Sequence, residues 1–219
     1  MLYLFDIDGT LIDTGGAGMR ALQEATQEIF GSAGPELDLA GSTDRGIAEF
    51  IHAHFGMPPE DRQLEDFFAI YHHKLNWHLA HGPASGRVLS GVPEVLTALA
   101  RRPAATLGLL TGNTATGATA KLQHFKLDTY FGFGAFGGEH VDRNQLGPLA
   151  LQRAAAHAGH PFTAAQTLVI GDTPKDIACA HAIGARCLAV ATGRFSIADL
   201  TDAGADRVVA TLDAALEWL

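Results

Sequence analysis

Four short runs in this chain, Leu2–Phe5, 105–110, 167–170 and Arg186–Val190, are apolar on both faces. A strand with one wet face alternates apolar and polar residues, so runs without that alternation need cover on both sides, as parallel strands between helices have. A shorter run at Arg207–Val209 reads as a fifth strand. The stretches between them are of helix length and amphipathic. Val92, Val95, Leu96 and Leu99 recur at i, i+3, i+4 and i+7, with Pro93 suited to a first turn. Ala118, Leu122 and Phe125 repeat the spacing, and Pro148 opens a helix that Gly159 closes. The alternation predicts a three-layer α/β fold around a parallel sheet.

One region breaks the alternation. From residue 15 to 85 there is no convincing strand, only helical stretches near 19–30, 47–55 and 64–79, longer together than a βα connection needs. Gly15-Gly16 and Gly82-Pro83-Ala84-Ser85-Gly86 read as flexible joints at its two ends. The expected organisation is a core of residues 1–14 and 86–219 with an inserted α-helical cap domain, 15–85, hinged beside the end of the first strand. Trp77, Phe67, Phe68 and Tyr71 are expected to form the core of the cap. The cap histidines, His52, His54, His72, His73, His78 and His81, do not pair on one helical face and read as surface residues rather than metal ligands.

Polar residues that can do chemistry stand at the C-terminal ends of three of the strands. Asp6-Ile7-Asp8-Gly9-Thr10 ends the first, Thr111-Gly112-Asn113 the second, and Gly171-Asp172-Thr173-Pro174-Lys175-Asp176 the third. In a parallel sheet these ends share an edge, where open α/β folds keep their ligand sites. Asp6, Asp8, Asp172 and Asp176 would then bring up to four carboxylates into one cleft and repel without a counter-charge. A hard divalent cation with oxygen ligands answers that demand, and Mg²⁺ fits best because it takes one or two carboxylates and shares phosphate oxygens. No Cys/His spacing suggests zinc. Thr111 offers a hydroxyl, Gly112 an approachable backbone N–H, and a helix starting near Thr114 its positive end. A metal site beside an anion holder implies phosphoryl transfer.

Composition excludes other classes. At 219 residues and 47% hydrophobic, the chain can bury a sizeable core. A net charge of -9 with no Lys/Arg-rich stretch argues against a nucleic-acid partner. There is no signal-like leader and no apolar run long enough to span a membrane. Two cysteines, Cys179 and Cys187, in apolar segments fit buried thiols in a reducing compartment. The expected location is the cytoplasm, and the protein is expected to be a monomer or homodimer.

The three motifs, in this order and with a helical insert after the first, resemble the haloacid dehalogenase superfamily over nearly the whole chain, in particular its phosphoglycolate phosphatase-like group with a small helical cap. The resemblance implies a Rossmann-like core. It implies that Asp6 is a nucleophile forming an aspartyl-phosphate, and that Asp8 protonates the leaving alcohol and then deprotonates water. It implies Mg²⁺ held by Asp6, the backbone carbonyl of Asp8, and Asp172, with Asp176 supporting from behind. Thr111, Gly112 and Asn113 would hold the phosphoryl oxygens. Asp176 also suits a capping box with Thr173, and Thr10 a turn.

One element of the pattern is altered. The family lysine that precedes the later helix aligns with Gln145 in Asp142-Arg143-Asn144-Gln145-Leu146-Gly147-Pro148. Arg143 is the first candidate for the missing charge and for phosphate binding, and Lys175 the second. Arg45, in the loop Gly41-Ser42-Thr43-Asp44-Arg45, is the candidate for recognising an acidic group on the substrate, a small phosphorylated metabolite. The expected activity is Mg²⁺-dependent hydrolysis of a small phosphomonoester: phosphoglycolate-like, a sugar phosphate or a nucleotide. Asp8 argues against a dehalogenase, and the single cap lysine, Lys74, lacks the setting of a phosphonatase imine lysine. A phosphomutase and a non-catalytic ligand-sensing relative stay open as alternatives.

Overall fold

A computed structural model describes residues 1–82, 86–216 and 219. The strands are β1 (Leu2–Phe5), β2 (Ile12–Asp13), β3 (Arg87–Val88), β4 (Thr106–Thr111), β5 (Gly134–Phe136), β6 (Thr167–Gly171), β7 (Arg186–Val190) and β8 (Arg207–Val209). The helices are α1 (Ala17–Phe30), α2 (Asp44–His54), α3 (Asp61–His81), α4 (Val92–Ala100), α5 (Ala115–His124), α6 (Leu146–Ala158), α7 (Pro174–Ala182) and α8 (Ile197–Asp202).

Six strands form one parallel sheet in the order β5-β4-β1-β6-β7-β8. Both faces are covered, as strands without alternation require. Tyr3 and Phe5 face a cluster built with Val95, Leu96, Leu99 and Leu122, while Leu2 and Leu4 face Leu146, Ala150, Ile177 and Ala180. The α/β architecture expected from the sequence is the one observed. Strand β5 was not anticipated: Gly134-Ala135-Phe136 is too short to carry a pattern, and it is placed by pairing with β4, Leu109 opposite Gly134 and Thr111 opposite Phe136.

Register decides where the chemistry lies. Phe5 pairs with Leu109 on one side and Ile170 on the other. Asp6 therefore emerges beside Leu110 and Gly171, with Thr111 and Asp172 one residue further along. The β1 end lies between β4 and β6, the two strands that carry the other motifs.

Helices α1, α2 and α3 lie between β2 and β3 in the chain and close on an apolar cluster of their own, including Leu22, Ile47, Ile51, Leu64, Phe67, Tyr71 and Leu75. The two-residue antiparallel ladder of β2 with β3 brings the ends of this segment side by side, Ile12 opposite Val88. Gly16, at φ 83°, is the N-cap of α1, a conformation other residues adopt at a cost. Pro83, Ala84 and Ser85 of the second expected joint lie outside the described residues, as does Trp218; Leu219 packs against the sheet cluster. Trp77 is corrected: it is 51% exposed, because it projects from α3 away from the face that Phe67, Tyr71 and Leu75 bury. His52 and His78 are also not surface residues; each is buried, with a hydrogen bond to the Ala48 carbonyl and to Glu24 respectively.

Candidate active site

The β1 strand delivers Asp6 into the protein interior, and a tight turn follows. The N–H groups of Thr10, Leu11 and Ile12 all donate to the Ile7 carbonyl, and Gly9 sits at φ 79°. A side chain on Gly9 would run into the Asp172 carboxylate, and one on Gly193 would do the same from the far side. Asp172 is thus held in a cradle that glycine alone permits. Thr10 is more than a turn residue, since its hydroxyl donates to Asp172 at 3.3 Å.

Three carboxylates, Asp6, Asp172 and Asp176, present oxygens within 4.8 Å of one another, all buried. Their environment disfavours three negative charges together. Burial, then Asp176 and Asp6, push Asp172 up to about 9; Asp6 is raised to about 6, mainly by burial, with Arg143 pulling it down. A buried all-oxygen donor set of this kind fits a hard divalent cation. The Asp8 side chain stands apart from this trio, which leaves its backbone carbonyl as the group it could offer a metal.

Asp176 serves two partners. One oxygen closes a capping box at the start of α7, accepting from the Thr173 N–H at 3.0 Å and hydroxyl at 2.7 Å. The other accepts from Arg143. The capping contact falls on one oxygen and the contact with Arg143 on the other.

Arg143 is the cation beside Asp6. It is 6% exposed, on a short 3₁₀ turn (Arg143–Gln145) that Asp142 caps through the Asn144 N–H. Its guanidinium donates to Asp6 at 3.1 Å, to Asp176, to the Leu110 carbonyl at 3.2 Å and to the Gly41 carbonyl at 3.2 Å. The planar fork suits several acceptors at once, which an ammonium on the same stem would not match. Gln145, at the aligned lysine position, faces solvent.

The structure does not bring Lys175 or Arg45 to the carboxylates. Lys175 is exposed and donates to Ser42 at 2.7 Å, because it is on the outer face of α7 while Asp176 takes the inner one. It lines a separate hollow of about 570 Å³ that also touches Arg143 but none of the strand-end carboxylates. Arg45 lies along the surface of the helical segment, pairing with Glu49 and Asp61 at 2.9 Å each. From its loop, the residue directed inward is Asp44.

Asp44 is buried and was not singled out by sequence. Its N–H donates to the Gly112 carbonyl at 2.7 Å and its carboxylate accepts from the Thr114 N–H at 2.7 Å, at the start of α5. Burial raises it to about 6. The loop sits so close that a Gly112 side chain would collide with the Ser42 carbonyl. Thr43 donates to the Val141 carbonyl at 2.8 Å and the Arg45 N–H to that of Gly137 at 2.9 Å.

A second missed residue is Lys121. It is 5% exposed along its side chain and lies 2.6 Å from Asp8 and 2.6 Å from the Asn113 side-chain oxygen. Its signal was available: within α5 it falls between Ala118 and Leu122, on the stripe that faces the core, where a lysine needs an anion. Asn113, expected on phosphate, instead commits its amide to Asp8 and to the Thr111 hydroxyl oxygen, each at 2.8 Å. Thr111 is fully buried with its hydroxyl next to Asp6, and Gly112 lines the cavity beside it.

A cavity of about 280 Å³ joins these groups. Its floor is Asp6, Asp8, Asp172, Asn113 and Gly112; Gly18, Met19, Leu22 and Tyr71 of the helical segment form its roof; Lys121, Arg143 and Arg194 are its cations. Buried carboxylates with a donor set that fits a divalent cation, an anchoring cation and a small cavity can together receive a phosphoryl group.

The haloacid dehalogenase-like hydrolase family model matches residues 3–190. The chain belongs to that family. It is similar to phosphoglycolate phosphatases from Pseudomonas fluorescens strain Pf0-1 (27% identical over 210 residues, 88% of this chain and 70% of that one) and from Pseudomonas savastanoi pv. phaseolicola (27% over 208 residues, with the same shares). Among solved structures, a hydrolase from Pseudomonas syringae superposes with a TM-score of 0.73 at 23% identity, covering 100% of this chain and 97% of that one. A predicted phosphoglycolate phosphatase from Haemophilus somnus superposes at 0.71 and 17% identity, covering 99% and 96%.

Proposed function

We propose that this protein is a divalent-metal-dependent phosphatase that hydrolyses a small phosphomonoester through an aspartyl-phosphate on Asp6. The observation that carries the reading is the division of labour around the β1 end: Asp6 stands with Arg143 and Asp172, while Asp8, two residues on, faces the cavity next to Lys121. In the first step an oxygen of Asp6 bonds to phosphorus as the ester P–O bond breaks, and Asp8 gives its proton to the leaving alcohol. In the second step Asp8 takes a proton from water as the water oxygen attacks phosphorus and the Asp6–phosphorus linkage opens. Thr111, the Gly112 backbone and Arg143 hold the phosphoryl oxygens.

Asp6, Asp172 and the Asp8 backbone carbonyl would hold Mg²⁺, with Asp176 steadying Arg143 behind them. The ion would neutralise phosphoryl charge. Arg143 keeps Asp6 ionised for attack despite its burial, since the guanidinium lowers what burial raises.

The helices of residues 15–85 serve as a cap over a core of 1–14 and 86–219, with the 41–45 loop pressed onto Gly112 and Thr114. At about 280 Å³ the cavity is at the small end of ligand sites, which favours a compact leaving group over a nucleotide. Relatives named phosphoglycolate phosphatase agree with a small substrate of that kind. Cytoplasmic location is supported by two free, buried cysteines, and among the described residues no helix is long and apolar enough to cross a membrane.

A panel of phosphate esters, with Mg²⁺ and with EDTA, tests the reading on wild type and Asp6→Asn. Hydrolysis that needs Mg²⁺ and falls more than ~10³-fold in Asp6→Asn is expected. Absence of turnover across the panel, or an active Asp6→Asn, would overturn it.

A further inference from the structure

Lys121 comes from outside the three strand-end motifs, yet it reaches the acid/base carboxylate. Asp8 Oδ2 accepts from Lys121 Nζ at 2.6 Å and from Asn113 Nδ2 at 2.8 Å. An ammonium has only donors, so the Asn113 oxygen must be the atom that faces Lys121, also at 2.6 Å, and the amide nitrogen is thereby turned to Asp8. With both of its bonds accepted from nitrogen donors, Oδ2 has no room for a proton of its own. Oδ1 has no hydrogen-bond partner among the described residues, and Asp8 is 42% exposed along its side chain.

We infer that Lys121 is a positioning residue that, with Asn113, locks Oδ2 of Asp8 and so reserves Oδ1 for the proton exchanged with the leaving alcohol and then with water. The inference rests on the phosphatase reading above and goes beyond it, since it assigns the proton to one oxygen and the cause to a residue on α5. The cap takes part, because Asp44 anchors the first turn of α5 at Thr114, two turns before Lys121. A Gly18 Cβ would lie 3.7 Å from Lys121 Nζ and 4.0 Å from the Tyr71 hydroxyl, both ordinary van der Waals distances, so the first turn of α1 lies directly over the lysine.

A lock on the general acid has a signature that a merely structural ion pair lacks. A leaving group that departs without a proton does not need Asp8 in the first step, while a poor one does. The test measures pre-steady-state release of the leaving group from phenyl, 4-nitrophenyl and 2,4-dinitrophenyl phosphate with Mg²⁺, in wild type, Lys121→Met, Lys121→Arg and Asp8→Asn, with thermal melts of each. General acid catalysis is worth about 10²–10⁴-fold, so Lys121→Met should lose ~10²-fold on phenyl phosphate and under ~3-fold on the dinitrophenyl ester, with KM nearly unchanged. Asp8→Asn should show the same gradient more steeply. Lys121→Arg, which keeps the charge and cannot keep the geometry, should show it more weakly, and it carries the test if the Met variant does not fold.

An equal loss across the three esters, or no loss, in a folded variant overturns the role of Lys121 while the phosphatase stands. If wild type turns over none of the esters, the phosphatase reading falls, and this inference with it.

Discussion

The two sides of the β1 end are built differently. On the Asp6 side, Asp6, Asp172, Asp176 and Arg143 are all buried; Arg143 bonds Asp6 and Asp176 directly, and Asp172 presents an oxygen within 4.8 Å of both carboxylates. On the Asp8 side, Asp8 is half-exposed, and its partners, Lys121 and Asn113, with Asp44 beyond them, join the sheet edge to the interior of α5 and to a loop of the helical segment. Three of the four acceptors of the guanidinium, Asp6, Asp176 and Leu110, lie on the sheet or on an element packed against it, and Gly41 lies on the docked loop. The second side has its long-range contacts on α5 and, through Asp44, on that same loop. In the proposed reaction phosphoryl charge would need a fixed frame while a leaving group would enter and depart, and the difference in construction would suit that difference in task.

Disrupting the Asp6 side should have the largest effect. Arg143→Ala leaves Asp6 and Asp176 without their shared cation, so kcat should fall at least ~10²-fold, and stability by about 3–5 kcal/mol in urea unfolding, as for other broken buried ion pairs. Arg143→Lys should recover part of the stability and less of the activity, because an ammonium cannot reach Asp6, Asp176, Leu110 and Gly41 together. A variant with near-wild-type turnover after Arg143→Ala would place the essential charge elsewhere.

Metal removal addresses the same side. Dialysis against EDTA should abolish turnover and lower the melting temperature, since binding to the native state alone stabilises it, and Mg²⁺ should restore both. A melting temperature indifferent to metal would argue that the trio of aspartates holds none.

The other side should respond to pH through Asp44. Its native pKa of about 6 lies above the ordinary 3.8, so the native state holds that proton more tightly than the unfolded chain. The contribution is fully present below about pH 4 and is lost as pH rises through 6. Relative to Asp44→Asn, wild type should therefore lose on the order of 3 kcal/mol between pH 4 and pH 7. Paired urea melts across that range check the sign, and a flat difference would show that Asp44 is not desolvated at the loop contact.

The smallest effect is expected at Arg45. Its pair with Glu49 is half-buried and that with Asp61 exposed, both within reach of water, so Arg45→Ala should change stability by no more than ~1 kcal/mol. Activity on a carboxylated phosphomonoester should be unchanged. A large rise in KM for that substrate alone would restore Arg45 to the site.

The Asp6 side was the more legible in sequence, for a physical reason. Asp6, Thr111 and Asp172 follow apolar runs that read as strands, and a parallel sheet aligns such ends without further information. Arg143 was reachable because Gln145 left a charge unaccounted for. Lys121 and Asp44 carry no motif: a lysine inside an amphipathic helix and an aspartate at a helix start are common on any surface. Their burial follows from the roll of α5 and the docking of the 41–45 loop. Lys175 and Arg45 misled in the opposite sense, since each neighbours an inward residue, and one position along a helix turns a side chain by about a quarter of a circle or more.

By itself the amino-acid sequence determined the parallel sheet, its two covered faces, the carboxylates and hydroxyl at one edge, and the need for a counter-charge there. Those follow from local patterns and from the cost of burying charge. The tertiary structure alone decided which cations answer it, Arg143 on Asp6 and Lys121 on Asp8, and which oxygen of Asp8 has no hydrogen-bond partner among the described residues. Such choices depend on contacts between residues more than a hundred positions apart, and their distances are set by the packing of helices on the sheet.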